Sequence, residues 1–353
     1  MGRRKATVHR PPRRLRMLFT CVGRRVELVR AFRRAAEKLG IALEVHGADG
    51  SRLAPALWHV DRPHLVPAIT SGKYEEALLG VVRAARINLL VPLLDHELPA
   101  ISGAAERFAE LGCTAVISSP EVVQVCQDKL ATYAALRTAG IDTPTTWAWT
   151  DISRRRTHRF PYFLKPRTGS ASMGNYVVHN RDELMTFGRR VPDAIVQEFV
   201  PGIEHTLDVY TGFDGRPRCV VPRRRLEVRT GEVSKGLVVK DRRIMAVGHE
   251  VARMLRDGRG VLTVQCILTP QDRIRVIEIN PRFGGGAPLS IHAGADFPRW
   301  ILAESLGRRV RIAPEGFRDD VAMLRFDDSV FVPRASRLLG RGSPRASTPS
   351  PTK

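Results

Sequence analysis

The chain has 353 residues, of which 43% are hydrophobic, and a formal net charge of +21. This length and apolar content are typical of a globular protein with two or three packed units and exclude a wholly disordered chain. No apolar run reaches the roughly 20 residues of a membrane helix, and five isolated cysteines without metal-ligand spacing indicate a reducing compartment, so we expect a cytoplasmic protein with no membrane partner.

The positive charge is concentrated at the two ends of the chain. Residues 1–16 carry seven Arg or Lys, and residues 334–353 carry five, with no acid in either segment. Both segments lack a sustained apolar pattern, so residues 1–14 and 334–353 are predicted to be disordered basic tails. Because these tails hold 12 of the 21 net charges, the rest of the chain gives little support for a nucleic-acid partner.

Strands alternate with helices in the first third of the chain. Apolar strands at Leu15–Val22 and Ile41–Gly47 flank a helical pattern, and a helix at Tyr74–Arg86 precedes a buried strand at Asn88–Leu94. This alternation predicts an α/β domain with a parallel sheet covered on both faces. In such a sheet, ligands bind beyond the carboxyl ends of the strands.

Acidic residues follow two of these strands. Asp49 has the spacing of a ribose-binding acid, but Gly23 stands alone where a dinucleotide-binding domain has G-x-G-x-x-G, which disfavours NAD. Asp95 and Glu97 are candidate contacts for the ammonium group of a substrate. They are equally well explained as N-terminal acids of the helix that begins near Leu98.

Two lysines mark a predicted phosphate site in the middle of the chain. Lys129 lies in the first turn of a helix, and Lys165 ends a strand that leads into a loop of small residues with Gly169, Ser170 and Gly174. Small side chains let backbone N–H groups approach an anion closely, and a lysine adds a point charge. The spacing is not that of a Walker P-loop, and an ordinary hairpin connection remains the alternative.

A hinge-like strand comes next. Residues Gln197–Val200 precede a Pro-Gly turn, after which Glu204 begins another strand. The backbone of such a strand can pair with an adenine edge, and Glu204 can accept hydrogen bonds from ribose hydroxyls. Taken alone, the segment also fits an ordinary hairpin.

The segment from Val261 to Gly286 reads as two strands joined by a tight turn and followed by Asn-Pro-Arg and a glycine run. With the turn centred between Gln271 and Asp272, Gln265 falls opposite Glu278. Alternation puts Val276, Glu278 and Asn280 on one face and Ile277 and Ile279 on the other. The oxygens of Gln265, Glu278 and Asn280 then form a donor set suited to Mg²⁺, although a half-exposed polar hairpin face explains the pattern as well.

The order of four motifs in this chain resembles that of the ATP-grasp superfamily. The motifs are Lys129 at a helix start, Lys165 with its glycine loop, the hinge E-x-V-x-G-x-E at Glu198–Glu204, and Q…E-x-N-P-R from Gln265 to Arg282. The resemblance is to one module of the carbamoyl phosphate synthetase large subunit and to related carboxylate–amine ligases, and it covers about residues 15–310. It implies an α+β ATP-grasp fold in which a pre-ATP-grasp α/β domain precedes two α+β subdomains that clamp ATP. The expected boundaries are residues 15–118 for the first domain, 119–312 for the ATP-grasp domain with its lid at about 145–200, and 313–333 for a final strand segment.

The resemblance also implies roles for individual residues. Lys129, Lys165, Gly169, Ser170 and Gly174 are expected at the ATP phosphates, Glu198, Phe199 and Val200 at the adenine, and Glu204 at the ribose. Gln265, Glu278 and Asn280 are expected to bind Mg²⁺ or Mn²⁺. Arg282, Lys165 and Arg229 are the expected catalytic cations, and Asp95, Glu97, Lys235, Gly284 and Gly285 the expected substrate contacts.

The chain also departs from the synthetase pattern. It has room for one ATP-binding module, and Gly285 replaces the second arginine expected three residues after Arg282, which argues against bicarbonate as the substrate. We therefore expect an ATP-dependent ligase that joins a small carboxylate to an amine through an acyl phosphate, with a homodimer as a candidate assembly. A carboxylate or bicarbonate kinase and a non-catalytic ATP-binding protein remain the alternatives.

Overall fold

The structure is a computed structural model that describes residues 14–169, 174–229, 231–333 and 335. The predicted tails fall almost entirely outside these residues. None of the helices in the described part of the chain is long and apolar enough to cross a membrane.

The N-terminal unit is a five-stranded parallel sheet with the strand order β3-β2-β1-β4-β5, flanked by helices. Its elements are β1 (Arg14–Thr20), α1 (Val26–Leu39), β2 (Ala42–Asp49), β3 (Arg62–Leu65), α2 (Tyr74–Ala85), β4 (Leu89–Pro92), α3 (Leu98–Gly103), α4 (Ala105–Glu110) and β5 (Thr114–Ala115). The predicted parallel α/β unit is confirmed. Helix α1 ends where Gly40 takes a φ of +62°, and its apolar face, which includes Phe32, is buried.

Asp49 fixes the loop that follows β1. Its carboxylate accepts hydrogen bonds from the backbone N–H groups of Gly23 and Ser51, both over 2.9 Å. This local role explains an acid at the end of β2 without a nucleotide ribose.

A small four-stranded sheet with the order β6-β9-β7-β8 forms the middle of the chain. The elements here are α5 (Pro120–Gln127), α6 (Lys129–Thr138), β6 (Thr146–Ala148), α7 (Trp149–Ile152), β7 (Tyr162–Pro166), β8 (Tyr176–Val178), α8 (Arg181–Arg190) and β9 (Ala194–Glu198). This sheet has a hydrophobic core of its own, built around Leu164 and Val196. It is therefore a separate packing unit over the rest of the protein.

The large sheet has six strands in the order β14-β13-β10-β11-β12-β15. Its elements and the helices around it are β10 (Ile203–Thr211), β11 (Pro217–Arg229), β12 (Glu232–Val238), α9 (Arg242–Met254), β13 (Gly260–Leu268), β14 (Ile274–Asn280), α10 (Ala287–Ala293), α11 (Phe297–Ser305) and β15 (Ala322–Leu324). Its core is continuous with that of the N-terminal unit, because α1 packs against α10 and α11.

The ladder between β13 and β14 contains a bulge beside the predicted metal ligands. Gln265 pairs with Glu278 as predicted, but Cys266 pairs with Val276, so Ile277 is an extra residue on β14. The predicted alternation was therefore wrong at two positions: Val276 lies in the core, and Ile277 lines the cavity described below. An inserted residue reverses the alternation of side chains on one side of the bulge.

Candidate active site

One cavity of about 580 Å³ lies where the small sheet, the large sheet and the loop after β4 meet. Its wall contains most of the residues that the sequence singled out, although they come from distant segments. They are Asp95, Lys129, Lys165, Gly169, Glu198, Phe199, Val200, Glu204, Gln265, Glu278, Asn280, Arg282, Gly284 and Gly285. Ser170 lies outside the described residues.

The oxygen donors expected to hold a metal lie together on β13 and β14. Glu278 stands opposite Gln265, and the side-chain amide of Asn280 donates to Oε1 of Glu278 over 3.0 Å. This hydrogen bond uses the amide nitrogen, which leaves the carbonyl oxygen of Asn280 as its remaining polar atom. One carboxylate with two amide oxygens fits Mg²⁺ or Mn²⁺, which takes further ligands from water and phosphate. The described residues contain no cluster of three His, Cys, Asp or Glu side chains suited to a metal.

Lys165 is a buried cation in the cavity wall. It lies near the end of β7 and is 4% exposed. Burial lowers the pKa of Lys165 to about 8; the charge of Glu278 opposes this shift, and that of Lys129 adds to it. Because the fold disfavours this charge in the absence of a partner, an anion such as a phosphate is the ligand that the position favours.

Lys129 connects α6 to the glycine loop. Asp128 caps α6 by accepting from two backbone N–H groups, and Nζ of Lys129 donates to the carbonyl oxygen of Gly169 over 2.9 Å. Burial lowers the pKa of Lys129 as well. Gly169 has a φ of +101°, a conformation that favours glycine. Gly174 lies close to the ring of Pro166 and is not part of the cavity wall, so its expected contact with phosphate stays a prediction.

The hinge strand is tied to the large sheet by its acidic side chain. Glu198 makes a bidentate ion pair with Arg275 on β14, over 2.7 and 2.9 Å, and accepts a hydrogen bond from the backbone N–H of Thr145. These contacts lower the pKa of Glu198, chiefly through Arg275. The carboxylate therefore serves the packing of the two sheets. An adenine contact at this residue would have to use its backbone, together with that of Val200.

Glu204 lies at the start of β10 and faces Arg225 on β11. The two side chains approach to 3.2 Å, and both residues line the cavity. Burial raises the pKa of Glu204, and the charge of Arg225 opposes that shift. Glu204 therefore presents its carboxylate to the cavity beside Arg225.

Arg282 is held by Asp95 across the boundary between the N-terminal unit and the large sheet. Nη2 of Arg282 lies 2.6 Å from Oδ2 of Asp95, and both side chains are largely buried. Oδ1 of Asp95 and Nε of Arg282 have no hydrogen-bond partner among the described residues. The pair thus orients a cation in the cavity and leaves one acidic oxygen for a further donor.

Glu97 holds the turn between β4 and α3 and lies outside the cavity wall. It is fully buried and accepts hydrogen bonds from the backbone N–H groups of Leu93 and Leu94 and from the hydroxyl of Tyr74. Helix α3 has no side-chain N-cap, so Glu97 does not cap the helix that begins at Leu98; its carboxylate instead closes the short 3-10 turn Asp95–Glu97 that precedes α3.

Two further expected contacts lie away from the cavity. Arg229 and Lys235 both pair with Glu227, over 2.8 and 2.6 Å, and their side chains are 68% and 47% exposed. Neither lines the cavity in this structure.

Sequence reasoning missed three arginines of the wall, Arg25, Arg223 and Arg225. Arg223 is 1% exposed and makes a bidentate pair with the buried Asp208 over 2.7 and 2.9 Å. The run Arg223–Arg225 hides the alternation of β11, because an arginine stands on both faces. For Arg25, the available signal was its position after Gly23 at the carboxyl end of β1.

Two domain families match the chain. Residues 126–286 match the ATP-grasp domain, and residues 17–117 match the PylC-like, N-terminal domain. Among curated proteins, the 3-methyl-D-ornithine–L-lysine ligase of Methanosarcina acetivorans is 26% identical over 222 residues, which are 62% of this chain and 56% of that protein. The chain thus spans less than two thirds of the length of this relative.

Solved structures share the fold. The L-amino acid ligase of Bacillus licheniformis superposes with a TM-score of 0.62 at 22% identity and covers 83% of this chain and 74% of its own. A second similar structure is the biotin carboxylase domain of Hydrogenobacter thermophilus 2-oxoglutarate carboxylase, solved with MgADP, ADP and bicarbonate. It superposes with a TM-score of 0.70 at 16% identity, over 87% of this chain and 73% of that one.

Proposed function

We propose that this chain, whose residues 126–286 match the ATP-grasp domain, is an ATP-dependent ligase that forms an amide from a small carboxylate and an amine. The observation that supports this most is the single cavity that contains Lys165, the oxygen donors around Glu278 and the Arg282–Asp95 pair. A phosphate-binding cation, a metal-ligand set and an anion-binding arginine are the groups that acyl-phosphate chemistry needs. The relatives named for joining amino acids support amino-acid substrates.

The reaction has two steps. An oxygen of the substrate carboxylate bonds to the γ-phosphorus of ATP, the bond from that phosphorus to the bridging oxygen breaks, and ADP leaves. The amine nitrogen then bonds to the carbonyl carbon of the acyl phosphate, the carbon–oxygen bond to phosphate breaks, and the amine proton passes to phosphate or water. In the first step two anions approach each other, so the protein must offset their repulsion.

Each role belongs to a named residue. Lys165 and Arg282 offset negative charge, while Asp95 holds Arg282 in place. Gln265, Glu278 and Asn280 would hold Mg²⁺ or Mn²⁺, which supplies further charge neutralisation when bound. Other residues are proposed to bind the rest of ATP. Lys129, Gly169 and Ser170 contact the phosphates, and Glu204 contacts the ribose. The backbone of Glu198 and Val200, with Phe199 between them, contacts the adenine.

An ADP-release screen tests the proposal. The full chain is incubated with Mg-ATP and amino acids, singly and in pairs, and products are identified by mass spectrometry, with Glu278→Gln as the inactive control. Amide formation that requires both a carboxylate and an amine is the expected result. ADP release with a carboxylate or bicarbonate alone, without need of an amine, would instead identify a kinase, and failure to bind Mg-ATP would refute an ATP-dependent function.

A further inference from the structure

Arg25 lines the cavity next to Gly285, a residue without a side chain in the loop between β14 and α10. It follows β1 in the loop that Asp49 fixes through Gly23. A Cβ atom built on Gly285 would stand 2.7 Å from Nη1 of Arg25 and 3.0 Å from the carboxylate of Glu232. The missing side chain at residue 285 therefore makes room for a guanidinium group supplied by the N-terminal unit.

A second arginine approaches the same glycine run. The guanidinium of Arg223 lies so close to Gly286 that a Cβ there would clash with Nη1. Nε and Nη2 of Arg223 are used by Asp208, whereas Nη1 is buried and has no hydrogen-bond partner among the described residues. A buried donor without a partner in a cavity wall favours an acceptor from a ligand.

The charges around Arg25 are unbalanced. Glu232 lies 3.2 Å from Arg25, 3.7 Å from Arg24 and 3.4 Å from Arg325. Three guanidinium groups thus share one carboxylate. Burial lowers the pKa of Arg25, Glu232 opposes this, and the charges of Arg282 and Arg325 act in the same direction as burial. A partly buried excess of positive charge is stabilised by an anion.

We propose that Arg25, with Nη1 of Arg223 and the glycine run Gly284–Gly286, binds a carboxylate of the substrate that takes no part in the reaction. This inference rests on the proposed function, because amide formation uses one carboxylate and one amine. An amino acid that supplies the amine has a second carboxylate, which needs a cation of its own. The substrate class is therefore an amino acid as amine donor, in contrast to a simple amine. A guanidinium suits this role because its planar fork matches a carboxylate.

Binding of a simple dicarboxylate tests the subsite without knowledge of the substrate. Succinate is titrated by calorimetry onto the full chain saturated with Mg²⁺ and adenylyl-imidodiphosphate, which does not transfer its phosphate. Succinamide, the neutral diamide of the same shape, is the control ligand. We expect saturable binding of succinate alone, weakened at least tenfold by Arg25→Met, or about 1.4 kcal/mol.

Two further variants separate this role from general charge effects. Arg24→Met removes the same charge from the adjacent residue, which is exposed and not part of the cavity wall, and should change succinate affinity less than twofold. Gly285→Ala keeps every charge but places a methyl group against Nη1 of Arg25, and should weaken succinate binding at least fivefold. Unchanged far-UV circular dichroism and unchanged affinity for the nucleotide confirm that each variant is folded.

The outcomes distinguish the two proposals. If wild-type protein binds the nucleotide but binds succinate no better than succinamide, or if Arg25→Met leaves succinate affinity unchanged, the subsite is refuted and the proposed function is not. Equal loss in Arg24→Met also refutes the subsite, since it would show a general charge effect. If Arg25→Met weakens the nucleotide instead, Arg25 is a phosphate contact and the inference is wrong. Failure of the wild-type protein to bind the nucleotide overturns both.

Discussion

Affinity for nucleotide should fall with rising pH as Lys165 loses its proton. The pKa of this lysine is lowered to about 8, so about nine tenths of it is charged at pH 7 and about one tenth at pH 9. If only the charged form binds the phosphates well, the dissociation constant of Mg²⁺–adenylyl-imidodiphosphate should rise about tenfold between pH 7 and pH 9, which is about 1.4 kcal/mol. Calorimetry at half-unit steps from pH 6.5 to 9.5 measures this directly.

Two lysine-to-arginine changes separate Lys165 from the other titrating groups. Lys165→Arg retains a positive charge throughout this range, because arginine stays protonated, so its affinity should be lower overall but nearly independent of pH above 7.5. Lys235→Arg makes the same substitution outside the cavity wall and should keep the wild-type profile. If Lys165→Arg retains the tenfold weakening, the titrating group is not Lys165, and its assignment as the pH-sensitive phosphate contact is refuted.

Rising pH should weaken nucleotide binding through Lys165 but should increase the contribution of this lysine to protein stability. Its pKa in the folded protein lies below the ordinary value of 10.5, so between about pH 8 and 10.5 the unfolded chain binds more protons. Its contribution to the free energy of unfolding therefore rises with pH through that window. Without ligand, Lys165→Met should be more stable than wild type at pH 7, and this advantage should shrink towards pH 10. An advantage that is constant with pH would contradict the lowered pKa.

Two further substitutions test the proposed metal ligands around Glu278 and the buried hydrogen bonds of Glu97. Glu278→Gln keeps an acceptor for the side-chain amide of Asn280 but removes the only carboxylate among the three proposed metal ligands. ADP release should therefore fall more than a hundredfold while the melting temperature stays unchanged. Near-normal turnover would refute the metal assignment. Glu97→Ala leaves the buried donors of Leu93, Leu94 and Tyr74 without an acceptor. Denaturant titration should therefore show that the free energy of unfolding falls by about 2–4 kcal/mol, while the KM values of the active protein stay within twofold. A raised substrate KM at unchanged stability would instead identify Glu97 as a substrate contact.

The sequence by itself determined the order and type of the main elements and identified the central residues of the cavity. Alternating strands and helices predicted the N-terminal parallel sheet. The polar turn between β13 and β14 was predicted from its residues, and Gln265 does pair with Glu278. The strand pairs next to the turn, however, are centred on Gln271 and would by themselves place Gln265 opposite Ile277, so the predicted pair depends on the bulge. The two strands and their turn follow from local periodicity, which can be read along the chain without knowledge of distant contacts.

The tertiary structure alone decided which partners these side chains meet. The bulge at Ile277 reversed the expected faces of two residues, and the local pattern of β14 gives no sign of it. Glu198 and Arg275, 77 residues apart, pair only because the small sheet lies against β14. Arg25 fills the space beside Gly285 because α1 packs on α10 and α11. Contacts of this kind depend on how separate elements pack, so a periodic pattern in one segment cannot specify them.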